Sequence, residues 1–269
     1  MKMSIVLSTH ATQFSALAFQ QDWMHNVGEM AALGYDAVEL AIRDPNLLDQ
    51  RTVTEVLSRY GLPLAAIGTG QAYGEEGLSF THPDSEIRRR AVQRIKDQIA
   101  FAAPHSAIII IGLIRGRTRP GVQRAQAWAW MREALADCAD DALRHGVRLV
   151  VEAINRYETD LVCTAAEGLA LLDELGTNNV GLLLDTFHMN IEEASMYDSI
   201  RQAGKRLFHF HVADSNRWYP GAGHTDFPGI LATLREVGYN GYISGEMMPL
   251  PDPMTAAREM IRYLRQIGA

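Results

Sequence analysis

Residues 148–185, RLVVEAINRYETDLVCTAAEGLALLDELGTNNVGLLLD, hold one full repeat of the chain's architecture. Two short apolar runs, Arg148 to Val151 and Val180 to Leu184, have the aliphatic and β-branched content of strands buried on both faces. Between them Ala165 to Leu175 spaces its apolar residues for a helix, and Gly176 follows as a helix-terminating glycine. Strand, helix, strand predicts two parallel strands joined by a helical crossover. Each strand finishes on a carboxylate, Glu152 and Asp185.

Outward from this repeat the same pattern recurs. Further strands are expected at Ser4 to Leu7, Asp36 to Leu40, Leu64 to Ile67, Ala107 to Ile111, Leu207 to Val212 and Tyr242 to Gly245. Helical periodicity marks Asp22 to Leu33, Gln50 to Tyr60, Ser85 to Phe101, Gln123 to His145 and Asp252 to Ile267. Gly34, Gly61, Gly146 and Gly238 repeat the role of Gly176. Eight strands alternating with helices predict an α/β fold: a single (β/α)8 TIM barrel over residues 1–269, with its active site at the C-terminal ends of the strands. An open doubly wound sheet would advertise a glycine-rich phosphate turn after an early strand. Gly68-Thr69-Gly70, the nearest candidate, has the wrong spacing and reads as a turn.

Charge and composition then exclude several partners. A net charge of −7 argues against nucleic acid, whose phosphates select basic surfaces. The longest apolar run, Ala107 to Ile114, is far short of the ~20 residues of a membrane span. The N-terminus MKMSIVLSTHATQF carries too short an apolar stretch for a secretion signal. Cys138 and Cys163 are isolated, which excludes a disulfide framework and a Cys-x-x-Cys metal site. A soluble protein of a reducing, cytoplasmic compartment is expected.

The chemistry lies at strand ends. The last four strands finish VVE152, LLLD185, FHFH211 and ISGE246, each an apolar strand closing on a metal-ligand type of residue. One carboxylate at a strand end is usually a surface charge; three carboxylates and a histidine ending four strands in a row on one face of a barrel are a constellation. Glu152, Asp185, His211 and Glu246 form a mixed oxygen and nitrogen set for one divalent ion, Mn²⁺ first, with Mg²⁺, Co²⁺ or Zn²⁺ also served. Such an ion polarises a hydroxy-ketone and offsets the charge left when the neighbouring carbon loses its proton. Inverting that carbon needs a base on one face and an acid on the other, and Glu152 and Glu246 are the candidates.

The segments EAINRYETD (152–160), DTFHMNIEE (185–193), HFHVADSNRWYPGAGHTDF (209–227) and GYISGEM (241–247) resemble the xylose-isomerase-like barrel superfamily, within it the ketose 3-epimerases. The resemblance implies the same four metal ligands, the same two glutamates as proton shuttles, and Glu158, His188 and Arg217 as holders of substrate oxygens. Taken alone, Glu158 and His188 would read as loop or helix-start residues serving backbone donors. Relatives of this kind are commonly dimers or tetramers, which implies a homo-oligomer. A sugar or sugar acid is the implied partner, with no nucleic acid or membrane.

One departure bears on the substrate. After the fourth strand the chain reads IIGLIRGRTRPG, placing Arg115, Arg117 and Arg119 in a loop expected to open onto the active site. Guanidinium groups grip carboxylate or phosphate in bidentate fashion. With the segments AVELAIRDP (37–45) and AIGTGQAYGEEGLSFTHPD (66–84), this loop resembles epimerases acting on 5-keto-L-gluconate. The expectation is therefore inversion of carbon 3 in a ketose or keto-sugar acid of the 5-keto-L-gluconate or tagaturonate type, with a sugar-phosphate enzyme or an aldose–ketose isomerase as the alternative. His209, two residues before His211, is expected one layer deeper as a hydrogen-bonded support. His224 reads as a loop residue, Trp23, Trp128 and Trp130 as packing, and Trp218 as a wall of the pocket. Two rivals fall away. A DNA-cleaving apurinic-site hydrolase on this fold would want more strand-end histidines and a basic face. A sugar-binding protein without turnover would have lost one of the two glutamates.

Overall fold

The computed structural model describes residues 1–12 and 14–269. Eight parallel strands, β1 (Lys2–Ser8), β2 (Val38–Ala41), β3 (Leu64–Gly68), β4 (Ile108–Ile111), β5 (Leu149–Glu152), β6 (Val180–Asp185), β7 (Leu207–Val212) and β8 (Tyr242–Gly245), pair in sequence order. The sheet closes where β1 meets β8, Ile5 opposite Gly245, which makes it a (β/α)8 TIM barrel as the repeat predicts. Every predicted strand is present, with shifts of one or two residues at the ends.

Among the described residues ten α-helices surround the barrel: α1 (Trp23–Leu33), α2 (Gln50–Tyr60), α3 (Gly70–Glu76), α4 (Ser85–Ala102), α5 (Arg124–Arg144), α6 (Ala165–Leu175), α7 (Thr186–Glu192), α8 (Met196–Ala203), α9 (Phe227–Glu236) and α10 (Pro253–Gln266). Asp49, Asp84, Thr164 and Asp252 cap α2, α4, α6 and α10 by accepting backbone N–H bonds, each cap contributing about 1 kcal/mol. The five glycines expected behind helices all adopt positive φ, a backbone state that any Cβ would strain. Three helices, α3, α7 and α8, are additions to the sequence reading, and α9 is the helix that Gly238 was expected to follow. Gly68-Thr69-Gly70 is thus the end of β3 and the start of a short helix, not a simple turn.

Alternation along the strands explains where the polar residues go, because side chains two apart share a face. Ala66, Ile108, Ile110, Val150 and Leu183 pack together as an interior plug, distinct from the larger apolar layer between sheet and helices. One inward step further, Val150 gives way to Glu152 and Leu183 to Asp185. The plug closes the lower barrel, and the next layer up is polar. Among the described residues no helix is long and apolar enough to cross a membrane.

Candidate active site

At the C-terminal mouth lies a cavity of about 280 Å³, reached by Glu39, Glu152, Glu158, His188, His211, Arg217 and Glu246. One oxygen or ring nitrogen from each of Glu152, Asp185, His211 and Glu246 falls within 4.8 Å of the others. The barrel thus brings together the four residues that close its last four strands.

Local structure sets each of them. Asp185 ends β6 and caps α7, its Oδ1 accepting the backbone N–H of Phe187 at 2.8 Å. Its Oδ2 is buried with no partner. Glu152 stands at the end of β5 against Gly112, where a Cβ would lie 2.8 Å from Oε2. Glycine at 112 leaves that carboxylate its room. His211 spends one nitrogen below the site: its Nε2 lies 3.1 Å from Glu39 Oε2, while Nδ1 is buried and unpaired. His209 Nε2 meets the same Glu39 oxygen at 2.8 Å, one layer deeper, where the strand alternation puts it.

The electrostatics of this cluster are those of a site built for a cation. Burial, then the charge of Glu246, pushes Glu152 well above the ordinary carboxylate range. Burial also raises Asp185, and raises Glu246 to about 7. Burial disfavours charge on His211 too, but the Glu39 carboxylate overrides it and lifts the imidazole to about 10. Glu39 itself is held low despite its burial by the charge of His211 and by hydrogen bonds from both histidines. Two buried carboxylates, Glu152 and Asp185, and the partly buried Glu246 converge on one point, and with Asp185 Oδ2 and His211 Nδ1 left unpartnered they match the donor set of a divalent ion. The residues fit such an ion.

Around the cluster sit the remaining candidates. His188, on the first turn of α7, places Nε2 3.7 Å from Glu152 Oε1. Burial and then the Arg217 charge hold its pKa well below the usual value, so the ring is neutral. Arg217 adopts φ 63° in the loop after β7, pinned by its own N–H on Asp214 O (2.7 Å) and by Met248 N–H on its carbonyl (2.8 Å). Its guanidinium reaches Glu158 Oε1 (3.3 Å) and Glu246 Oε2 (3.4 Å) and sits 4.5 Å from the centre of the Phe187 ring. Phe14, Leu17, Leu113 and Ile154 supply an apolar wall.

Two expected site residues lie elsewhere. Arg115 follows β4 in a tight 3-10 turn and is fully buried. Its guanidinium is consumed by the carbonyls of Leu161 (3.0 Å), Gly112 (3.0 Å) and Val162 (3.1 Å). Arg117 is exposed and lines no part of the cavity. The loop turns these arginines away from the mouth, one as a strut tying β4 to the loop after β5. Trp218 is half-buried and does not line the cavity, and His224 stays in an outer loop on Ser215. Two contributors escaped the sequence reading. Glu39 was legible as a carboxylate inside the apolar run AVELA, and Asn155 as the polar residue after EAI, but nothing local marked either as a partner of a histidine.

The closed barrel and the four residues that could hold a metal ion at its mouth set the frame for comparison with known proteins. The model of the xylose isomerase-like TIM barrel family matches residues 27–267. An L-ribulose 3-epimerase of Methylomonas sp. is 32% identical over 237 residues, covering 86% of this chain and 82% of that protein. A D-psicose 3-epimerase of Agrobacterium fabrum is 32% identical, covering 84% and 80%. A crystal structure of a D-psicose 3-epimerase in the presence of D-fructose superposes with a TM-score of 0.86 over 99% of both chains, at 26% identity. The chain belongs to the xylose isomerase-like TIM barrel family, among its carbohydrate epimerases.

Proposed function

We propose that the chain inverts carbon 3 of a free ketose, with Glu152 and Glu246 transferring the protons and one divalent ion, Mn²⁺ foremost, held by Glu152, Asp185, His211 and Glu246. The observation that carries this reading is the placement of the two glutamates. They stand on β5 and at the end of β8, strands that are not neighbours, and approach one point from separate sides of the barrel.

When bound, the ion would polarise the ketose carbonyl and offset the negative charge that develops beside it. One glutamate takes the proton as the C3–H bond breaks, and the electron pair passes toward the neighbouring carbonyl. The other glutamate, starting protonated, delivers its proton to the opposite face of carbon 3 and re-forms the C–H bond. The first ends protonated and the second ionised, and exchange with solvent resets them. Positioned proton transfer of this kind contributes about 10²–10⁴ in rate. Arg217 and Glu158 support the reading as holders of substrate oxygens, and the apolar wall as a barrier to water.

Substrate class follows from charge. The lining carries five glutamates against one arginine, Arg217, and neither Arg115 nor Arg117 reaches it. Arg217 is already paired with Glu158 and Glu246, so among the described lining residues no unpaired guanidinium is left to grip a carboxylate or phosphate, and a neutral ketose is favoured over the 5-keto-L-gluconate type or a sugar phosphate. The test is a substrate panel with Mn²⁺, product sugars being separated by chromatography: D-psicose, D-fructose, D-tagatose, L-ribulose, 5-keto-L-gluconate, tagaturonate and ribulose 5-phosphate. Conversion of a neutral ketose to its carbon-3 epimer is expected. Turnover of the acids alone would restore the sugar-acid reading, and an aldose product would make the enzyme an isomerase of the aldose–ketose kind.

A further inference from the structure

The loop after β5 carries a side chain whose hydrogen bonds admit one arrangement only. Asn155 is 1% exposed. Its Oδ1 accepts the backbone N–H of Tyr157 at 3.0 Å. Its Nδ2 has two contacts, Glu158 Oε1 at 3.0 Å and His188 Nδ1 at 2.7 Å. Turning the amide over would set Nδ2 against the Tyr157 N–H and Oδ1 against the Glu158 carboxylate, donor to donor and acceptor to acceptor. The amide orientation is therefore fixed by its neighbours.

The state of His188 follows. An amide nitrogen has two hydrogens and no acceptor lone pair, so at 2.7 Å His188 Nδ1 must accept. Its ring proton then resides on Nε2. That nitrogen faces the cavity, 3.7 Å from Glu152 Oε1 and 4.0 Å from Asp185 Oδ2, beyond hydrogen-bond length of either. An unspent N–H points at the place where a sugar oxygen would lie.

We propose that Asn155 is a positioning residue: by donating to Nδ1 it locks His188 as the Nε2–H tautomer, which makes His188 a hydrogen-bond donor to a substrate oxygen and bars it from acting as a base. The same amide presents its second hydrogen to Glu158, so one side chain sets a donor and an acceptor side by side. This role rests on the reading of the cavity as the sugar site. A donor preset toward an oxygen that gains charge belongs with the groups whose removal costs on the order of 10²–10³ in kcat.

The experiment has two parts. Nitrogen-15 histidine-labelled, Mg²⁺-loaded protein is examined by long-range proton–nitrogen NMR, the His188 ring being identified by its absence from a His188→Gln sample. A protonated Nε2 and bare Nδ1 are expected; a protonated Nδ1 would overturn the inference, whatever the protein turns over. Because that measurement is independent of catalysis, the expected tautomer in a protein that epimerises no ketose would retain the role of Asn155 and sink the proposed function alone. Asn155→Asp, of the same size but unable to donate, is then compared with wild type. Its ring proton is expected to move to Nδ1 and kcat on the best ketose to fall on the order of 10²-fold, with Mg²⁺ binding by calorimetry not weakened. A folded Asp variant with wild-type kcat and KM would overturn the role.

Discussion

Glu39 Oε2 lies 3.1 Å from Nε2 of His211, so a carboxylate from β2 holds a candidate metal ligand from β7, a strand it does not adjoin. The contact leaves Nδ1 as the nitrogen free to face an ion. It also fixes the ring against rotation, with His209 bonded to the same oxygen beneath it.

Removing that support is expected to weaken metal binding without touching a ligand. Outer carboxylates of this kind are worth about 10–100-fold in metal affinity. Glu39→Ala should show that loss by calorimetric titration of metal-stripped protein with Mn²⁺. Glu39→Gln should lose less, since its amide oxygen still accepts. Unchanged affinity in a folded Glu39→Ala protein would show that Glu39 merely fills the barrel.

The pH dependence of stability follows from the buried carboxylates. Glu246 has its pKa raised to about 7 from an ordinary 4.5, so without metal the fold favours its protonated form. That contribution is complete below about 4.5 and is lost as pH rises through about 7. Glu152 and Asp185, raised by the same burial, act in the same direction. An ion removes the penalty by pairing the charges. The difference in Tm between Mn²⁺-loaded and chelator-treated protein should therefore widen from about pH 5 to about pH 8. A gap that stays level across that range would contradict the electrostatic account of the cluster.

Arg115 is expected to matter for stability and not for substrate choice. Arg115→Ala leaves the buried Leu161 carbonyl without a partner, at about 1–3 kcal/mol, takes one of two donors from the carbonyls of Gly112 and Val162, which keep the backbone N–H groups of Arg115 and Ile154, and opens a cavity besides. Its Tm should fall steeply while the ratio of kcat/KM for neutral ketoses and keto-acids holds. Arg117→Ala, on the surface, should stay within about 0.5 kcal/mol of wild type. A changed acid-to-neutral ratio in either variant would return the loop to the site.

These arginines mark where sequence reasoning stops. The barrel was legible because strand and helix periods are local, and the four strand-end ligands because a parallel barrel gathers its strand ends at one mouth. What Arg115 does depends on the carbonyls of Leu161 and Val162, which no local pattern ties to it. Glu39 stayed hidden for a similar reason: its meaning lies in two histidines on a strand far along the chain. The short helix α7 was missed because seven residues give too little periodicity. Yet its cap, Asp185, was read correctly as the end of a strand.

Glutamate replacement separates the two proton carriers from mere ligands. Glu152→Gln and Glu246→Gln should each lower kcat by about 10²-fold or more, with saturating Mn²⁺ restoring none of it. Activity near wild type in either variant would refute the two-base assignment.

The central claim is met most directly by proton NMR of a neutral ketose turned over in D₂O with Mg²⁺-loaded protein. Deuterium entering at carbon 3 as the epimer accumulates is the predicted result. Deuterium at carbon 2 of an aldose product or at carbon 1 of the ketose with none at carbon 3, or no exchange at any carbon, would contradict it.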